Sequence, residues 1–213
     1  MISQPVKIDS IPALLWGETS GRLYIFVHGK KSCKEEARWF AEIAATRGFQ
    51  VLSFDLPEHG ERVNEDYPCN VWNGIRDLGA IGRFAKGNWD KISLFANSLG
   101  AYFSLLAYKD DPIDNCLFLS PILDMQRLIE NMMQGFGVSE ETLARERKIP
   151  TPIGETLDWD YYCFVRDNPV DRWDIPTAIL YGDQDNLTER CVVDDFVRRF
   201  HAGLTVMPDS EHY

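Results

Sequence analysis

The chain has 213 residues, 45% of them hydrophobic, with 22 basic and 33 acidic side chains and a formal net charge of −11. This composition excludes collagen-like, coiled-coil and low-complexity proteins, and the length fits one globular domain over residues 1–213. Because an acidic surface repels phosphate backbones, the charge argues against a DNA or RNA partner.

Apolar, β-rich segments alternate with segments of helical periodicity along the chain. The predicted strands cover residues 11–16, 23–28, 49–54, 91–96, 115–120, 177–182 and 204–207. The predicted helices cover residues 35–48, 72–86, 98–108 and 189–200. Most of these strands are too uniformly apolar for a sheet with one solvated face. The alternation therefore predicts an α/β fold, a doubly wound and mostly parallel sheet with helices on both faces.

One segment, at about 121–173, interrupts this alternation. It carries helical patterns at 125–133, at 138–148 after a predicted N-cap at Ser139, and at 157–167, with no convincing strand between them. We interpret the segment as a helical cap inserted before the penultimate strand. It belongs to the same single domain.

Ser98 lies between an apolar strand and an apolar helix, with Ala96 and Gly100 two residues away on either side. A strand, a tight turn and a helix form the setting of a nucleophile elbow, in which small neighbours are needed because strand and helix pass close together. The alternative interpretation is a serine that only caps the helix. In open parallel sheets ligands bind at the carboxyl ends of the strands, which is where Ser98 is expected.

A serine nucleophile needs a base, and four histidines are available. His201 follows the last predicted helix and is expected to face solvent. His59 lies in a turn containing Pro and Gly, where ordering the loop is the favoured role. His28 ends a strand but comes before the serine in the chain. His212, in the loop after the final strand, is therefore the best candidate for the general base.

The third group of such a site is an acid that orients the histidine. The strand over 177–182 ends in a glycine turn followed by Asp183 and Asp185, and either carboxylate could reach His212. Both aspartates could instead form the turn or cap the next helix, where Thr188 is a competing cap. The order serine, acid, histidine along the chain matches one known arrangement of the catalytic triad.

With these residues in place, the sequence resembles the α/β-hydrolase superfamily over nearly its whole length. The matching motifs are FVHGKK (26–31), FDLPEHGER (54–62), ANSLG (96–100), YGDQDNLT (181–188) and PDSEHY (208–213). Two features depart from the family pattern. Ala96 replaces the commoner first glycine of the elbow, and only Tyr213 follows His212, where family chains usually continue into a final helix.

The resemblance implies roles for particular residues. It selects Asp185, three residues beyond Gly182, over Asp183 as the acid, giving the triad Ser98, Asp185 and His212. The oxyanion hole would consist of two backbone N–H groups, those of Leu99 and Lys30. Such a site performs acyl transfer to water and needs no metal or organic cofactor.

The expected activity is that of a small serine hydrolase that cleaves a carboxylic ester. A serine peptidase or amidase, or a non-catalytic binding protein on the same fold, remains an alternative. Candidate substrate-binding residues are apolar side chains of the cap: Met125, Ile129, Met132 and Trp159. Facing a pocket, they would suit an apolar acyl or alkyl group. Met125, Ile129 and Met132 lie on one helical stripe, and the favoured alternative is that this stripe simply docks the cap on the core, as amphipathic helices normally do.

Two further observations predict where in the cell the protein is located. No apolar run approaches the roughly 18 residues needed to cross a bilayer, so no membrane partner is expected. The five cysteines are scattered, with no C-x-x-C pair that would indicate a metal site or a redox motif. The sequence therefore predicts a cytoplasmic protein with free thiols. The expected partner is the small-molecule ester or acyl substrate that the resemblance implies.

Overall fold

A computed structural model describes residues 3–213, and ten strands lie within this range. Eight of them form one sheet: β1 (Ser3–Ile8), β2 (Ile11–Trp16), β3 (Arg22–Val27), β4 (Gln50–Phe54), β5 (Lys91–Asn97), β6 (Asn115–Leu119), β9 (Thr177–Gly182) and β10 (Gly203–Met207). Their order across the sheet is β1-β2-β4-β3-β5-β6-β9-β10. Strands β1 and β2 pair antiparallel, as do β2 and β4, and all other pairs are parallel. The predicted mostly parallel sheet is confirmed.

The register brings the carboxyl ends of the six parallel strands to one edge. Ala96 of β5 lies beside Val27 of β3, and Asn97 lies beside Leu119 of β6. At the other end of this edge, Met207 of β10 pairs with Gly182 of β9. The loops that follow β3, β5, β6, β9 and β10 are therefore neighbours in space, although they are far apart in the chain.

Helices cover both faces of the sheet: α1 (Arg38–Ala45), α2 (Val71–Asn88), α3 (Ser98–Ala107) and α7 (Arg190–Phe200). Neighbouring side chains along a strand point to opposite faces. On β3, Ile25 and Val27 belong to the larger of two buried clusters, and Phe26 between them belongs to the smaller one. The smaller cluster packs Phe26 on Phe95 with ring centroids 4.7 Å apart, against Phe40 of α1. Two apolar layers thus enclose the sheet, as a doubly wound fold requires.

The chain between β6 and β9 contains three helices and a short hairpin. The helices are α4 (Met125–Gly135), α5 (Glu140–Glu146) and α6 (Trp159–Asp167), and the hairpin consists of β7 (Lys148–Pro150) and β8 (Thr156–Asp158). The three predicted helices are present, and Ser139 accepts a hydrogen bond from the Thr142 N–H (3.2 Å) as the predicted N-cap. The hairpin was not expected from the sequence, because its strands are three residues long and half of their positions are polar.

Two other elements differ from the sequence-based expectation. Strand β1 was not predicted; it is an edge strand in which Ile8 alone is fully buried, and the edge position tolerates Pro5. The first predicted helix begins instead as a 3-10 turn over Lys34–Ala37, in which the Lys34 N–H donates to the buried Asp55 carboxylate (2.8 Å). Within residues 3–213, no helix has the length and apolar character to cross a membrane.

Candidate active site

Ser98 occupies a strained turn between β5 and α3. Its φ is +48°, a left-handed backbone conformation that residues other than glycine rarely adopt. The tight turn depends on Gly100, since a Cβ there would lie 2.5 Å from the His28 carbonyl oxygen and 2.8 Å from that of Val27. Ala96 is fully buried. The local structure is a strand, a tight turn and a helix, which is the setting that a nucleophile elbow requires.

The structure brings Ser98, His212 and Asp185 together. The Ser98 Oγ lies 2.8 Å from His212 Nε2, and His212 Nδ1 lies 2.8 Å from Asp185 Oδ2. An ionised carboxylate only accepts hydrogen bonds, so Nδ1–H donates to Asp185 and Nε2 accepts from the serine hydroxyl. The three side chains form one continuous hydrogen-bonded chain from a hydroxyl to a carboxylate.

Asp185 is buried yet remains ionised. Burial alone would raise its pKa, but hydrogen bonds from His212 and from the Thr188 and Leu187 N–H groups hold the pKa below the ordinary value. Both backbone groups donate to Oδ1 at 2.9 Å, which leaves Oδ2 for the imidazole. The acid is therefore fixed in orientation as well as in charge.

Asp183, the second candidate for the acid in the sequence, contacts different partners. Its Oδ1 accepts from the Ser210 N–H at 3.4 Å, and its own N–H donates to the Met207 carbonyl oxygen at 3.1 Å. Thr188 does not cap α7, because its hydroxyl donates to the Pro121 carbonyl oxygen (2.9 Å). Of the two aspartates, Asp185 is the one bonded to His212.

The loop that carries His212 packs tightly on Gly182 at the end of β9. The Gln184 N–H donates to the Ser210 carbonyl oxygen (2.9 Å), and a Cβ at Gly182 would lie 2.2 Å from that oxygen. The same Cβ would lie 2.6 Å from the Glu211 carbonyl oxygen. Glycine at this position therefore lets the loop approach the acid loop closely enough for His212 to meet Asp185.

Replacing Gly182 with alanine is expected to displace the His212 loop. A misplacement of about 1 Å in a catalytic group costs roughly 100-fold in rate, and the overpacking costs roughly 1–3 kcal/mol of stability. Ester-hydrolysis kinetics and urea unfolding measure the two effects. Gly203→Ala is the matched control, because the nearest atom to a Cβ there is 3.8 Å away. Equal kinetics for the two variants would contradict the argument.

The other histidines do not reach the serine. His59 orders its loop as predicted: Nδ1–H donates to the Pro57 carbonyl oxygen (2.7 Å) and Nε2 accepts from the Lys31 N–H (3.0 Å). His28 is buried, with Nδ1–H donating to the Gly29 carbonyl oxygen (2.6 Å) and Nε2 accepting from the Leu56 N–H (3.0 Å). His201 is exposed and ends α7 in a left-handed conformation.

Burial of His28 makes stability depend on pH. Burial disfavours its charged form and lowers its pKa to about 4 from an ordinary value of 6.5, although the bond to the Gly29 carbonyl opposes the shift. As pH falls below 6.5, the unfolded chain binds a proton that the folded chain excludes, so His28 destabilises the fold by about 2 kcal/mol at pH 5 relative to pH 7.

Urea unfolding of wild type and His28→Gln at both pH values checks this expectation. The variant should lose less stability than wild type on acidification, because glutamine keeps an acceptor for the Leu56 N–H and does not titrate. His201→Gln, at an exposed position, should behave like wild type. An unchanged pH dependence in His28→Gln would show that other groups dominate.

The two backbone groups predicted for the oxyanion hole belong to the elbow and to the loop beside it. The Leu99 N–H lies in the first turn of α3, where amides have no acceptor within the helix. The Lys30 N–H, in the loop after β3, donates no hydrogen bond to any residue of 3–213. The loop lies against the elbow, since a Cβ at Gly29 would be 3.1 Å from Ser98 Cβ. The Lys30 side chain pairs with Glu155, between β7 and β8.

The predicted substrate-binding side chains pack mainly within the protein. Met125 and Ile129 are buried in the larger core cluster, and Met132 and Trp159 pack half-buried against it. Met125 also lines a cavity of about 310 Å³ between α3, α6 and α7. These contacts agree with the alternative interpretation, in which the apolar stripe of α4 docks the helix on its neighbours. Contact of the four residues with a substrate stays a prediction.

Two polar residues near the triad were not singled out from the sequence. Asn97 and Ser120 both contact the backbone of Tyr213, next to His212. Each lies at the carboxyl end of a parallel strand, and that position is the one sequence signal that could have identified them. Across the described part of the chain, no three His, Cys, Asp or Glu side chains are grouped so as to hold a metal ion.

Comparison with solved structures identifies the fold. Est1E from Butyrivibrio proteoclasticus, solved with ferulic acid bound, superposes with a TM-score of 0.77 at 21% identity over 98% of this chain and 90% of its own. A putative hydrolase from Agrobacterium vitis S4 gives 0.79 at 18% identity over 99% and 91%. The Pyrococcus furiosus esterase Pf2001 gives 0.71 at 20% identity over 99% and 83%. This chain has the α/β-hydrolase fold.

Similarity in sequence covers less of this α/β-hydrolase-fold chain than similarity in structure does. No protein-family model matches it. Hydrolase phmG of Phaeosphaeria nodorum is 32% identical over 87 residues, which cover 38% of this chain and 20% of that protein. The chain therefore spans only a small part of the curated relative that it matches. In the α/β-hydrolase fold, the strand ends that carry Ser98, Asp185 and His212 are the expected position of a ligand site.

Proposed function

We propose that this protein is a serine hydrolase that cleaves a small carboxylic ester by acyl transfer to water. The observation that carries the proposal is the hydrogen-bonded chain from Ser98 through His212 to Asp185. An N-capping serine would need neither the imidazole nor the buried carboxylate, and α3 has no side-chain cap hydrogen bond. The hydrolases and esterases among the structural neighbours agree with this activity.

In the first half-reaction, His212 Nε2 accepts the Ser98 hydroxyl proton while Oγ bonds to the substrate carbonyl carbon. The carbonyl π electrons move to the oxygen, and the Leu99 and Lys30 N–H groups stabilise the resulting oxyanion. Collapse of this intermediate breaks the bond to the alcohol, which takes the proton from His212. An acyl ester on Ser98 remains.

In the second half-reaction, His212 takes a proton from water as the water oxygen attacks the acyl carbon. The second oxyanion occupies the same pair of N–H groups. Its collapse releases the carboxylic acid, and Ser98 Oγ recovers the proton from His212. Asp185, ionised throughout, stabilises the imidazolium and keeps Nδ1 protonated, so that Nε2 always faces the reacting atoms.

For the substrate we propose a small molecule with an apolar or aromatic acyl group. The ferulic acid bound to Est1E is one such group in a neighbour of the same fold. The β6–β9 segment, at about 121–173, would act as a cap over the site, and the ion pair between Lys30 and Glu155 supports that arrangement. A cytoplasmic location stays a prediction from the composition.

A fluorophosphonate probe tests the proposal directly. We expect it to label the wild-type protein on a single residue, identified as Ser98 by mass spectrometry of the labelled peptide. Because the same triad also cleaves amides, p-nitrophenyl esters of several chain lengths and aminoacyl anilides should then be compared. Faster hydrolysis of the esters supports an esterase, and faster hydrolysis of the anilides supports a peptidase or amidase. A folded protein that is not labelled would instead be a non-catalytic binding protein.

A further inference from the structure

The backbone of Tyr213 is bound on both sides by polar side chains from two other strand ends. Its N–H donates to Ser120 Oγ at 3.2 Å, and its main-chain oxygen accepts from Asn97 Nδ2 at 3.3 Å. Tyr213 directly follows His212. These two hydrogen bonds therefore fix the peptide next to the imidazole, while the tyrosine side chain itself is exposed.

The Asn97 amide connects three loops around the elbow. The side chain is 6% exposed, and besides the Tyr213 bond its Nδ2 donates to the Leu119 carbonyl oxygen at 3.4 Å. Its Oδ1 lies where a side chain at Gly29 would be, 2.1 Å from the position of a Cβ. One amide thus contacts the His212 loop, the end of β6 and the loop of the proposed oxyanion hole.

The backbone conformation of Ser120 is energetically unfavourable for a serine. It is fully buried with φ at +41°, and its N–H donates to the Leu180 carbonyl oxygen at 2.9 Å. A buried residue other than glycine in this conformation costs free energy, and such strain is concentrated at functional sites. The left-handed turn directs the backbone at the end of β6 toward the His212 loop, where Oγ accepts the Tyr213 N–H.

The opposite side of the His212 loop rests on the acid loop. Gln184 and Asp183 bond to Ser210, and Gly182 allows the close approach. The loop over 208–213 has no regular secondary structure of its own. Without the two hydrogen bonds to Tyr213, the described contacts that hold the His212 loop would be those with the acid loop, and the ring would be oriented by its hydrogen bonds to Asp185 and Ser98.

We propose that Asn97 and Ser120 are positioning residues that clamp the Tyr213 peptide and so hold His212 Nε2 at hydrogen-bond distance from Ser98. This role rests on the proposed hydrolase function. Neither side chain transfers a proton or contacts the scissile bond. Loss of the clamp therefore affects proton transfer by His212, and substrate affinity stays the same.

The test uses Ser120→Gly and Asn97→Ala in the full chain. Glycine tolerates the φ of Ser120 and removes only the small hydroxymethyl side chain, so folding should be preserved. With p-nitrophenyl acetate, kcat is expected to fall about 10–100-fold in each variant, with KM within about two-fold of wild type. The rate of inactivation by the fluorophosphonate probe should fall in parallel. Asn115→Ala, at the opposite end of β6, is the control and should match wild type.

The outcomes separate this inference from the proposed function. Unlabelled and inactive wild type would overturn both. Labelled, active wild type with unchanged kcat in folded Ser120→Gly and Asn97→Ala would overturn the clamp alone. Circular dichroism and thermal unfolding establish folding of each variant. If Asn97→Ala does not fold, Ser120→Gly decides the question by itself.

Discussion

Replacing Ser98 with alanine is expected to lower kcat for an activated ester by about 10⁶-fold, because loss of the nucleophile removes most of the contribution of the triad at once. What remains is the smaller acceleration supplied by substrate binding and the oxyanion N–H groups. The fold should be preserved, since the serine side chain bonds only to His212 among the described residues. Steady-state kinetics with p-nitrophenyl acetate, together with loss of fluorophosphonate labelling, measure the effect.

Ser93→Ala provides the matched control for Ser98→Ala. Ser93 is a buried serine on the same strand, β5, but it lies at the amino end, away from the site. We expect its kcat to stay within about two-fold of wild type, as substitutions remote from a site usually leave chemistry unaffected. Retention of more than a tenth of the activity in Ser98→Ala would mean that another group is the nucleophile.

Replacing Asp185 with asparagine is expected to lower kcat by about 10⁴-fold. An asparagine amide can donate to His212 Nδ1, which then carries no proton, and the imidazole holds its proton on Nε2 instead. Nε2 faces Ser98 Oγ at 2.8 Å, so the base would present a hydrogen where it needs a lone pair. The geometry stays nearly unchanged, and the loss therefore comes from the wrong tautomer.

Asp183→Asn is the natural partner experiment, because the residues of the motif alone do not distinguish the two aspartates. Asp183 contacts the Ser210 N–H and not the imidazole, and an asparagine oxygen can still accept that bond. Its kcat should stay within a few-fold of wild type. Similar losses in both variants would show that the acid loop acts through its overall charge, and the tautomer argument would then be wrong.

The parallel strands could be predicted because burial on both faces leaves uniformly apolar runs. Strand β1 is an edge strand whose outward positions carry polar residues, so Ser3–Ile8 lacks such a run. The β7–β8 hairpin is held by backbone pairing over three residues in each strand. Such short strands have no periodicity that a sequence pattern could detect.

Candidate triad residues could be found because each follows a strand that is itself predictable. The supporting residues could not, because their contacts are distant in the chain. Asn97 lies 116 positions from Tyr213, and Ser120 lies 93 positions from it. No local pattern encodes such a pair. The apolar stripe of α4 was ambiguous for a related reason, since a helix face that binds substrate and one that packs on a core share the same spacing.

The left-handed backbone at Ser98 and Ser120 has a consequence for substitution by glycine. Glycine would adopt both conformations without a steric penalty, so each serine introduces backbone strain that glycine would avoid. Under the proposed function, relieving the strain with glycine would remove the nucleophile at Ser98 and the hydroxyl that holds Tyr213 at Ser120. On that proposal, the two hydroxyls stand where reactivity requires them and not where backbone stability would favour a serine.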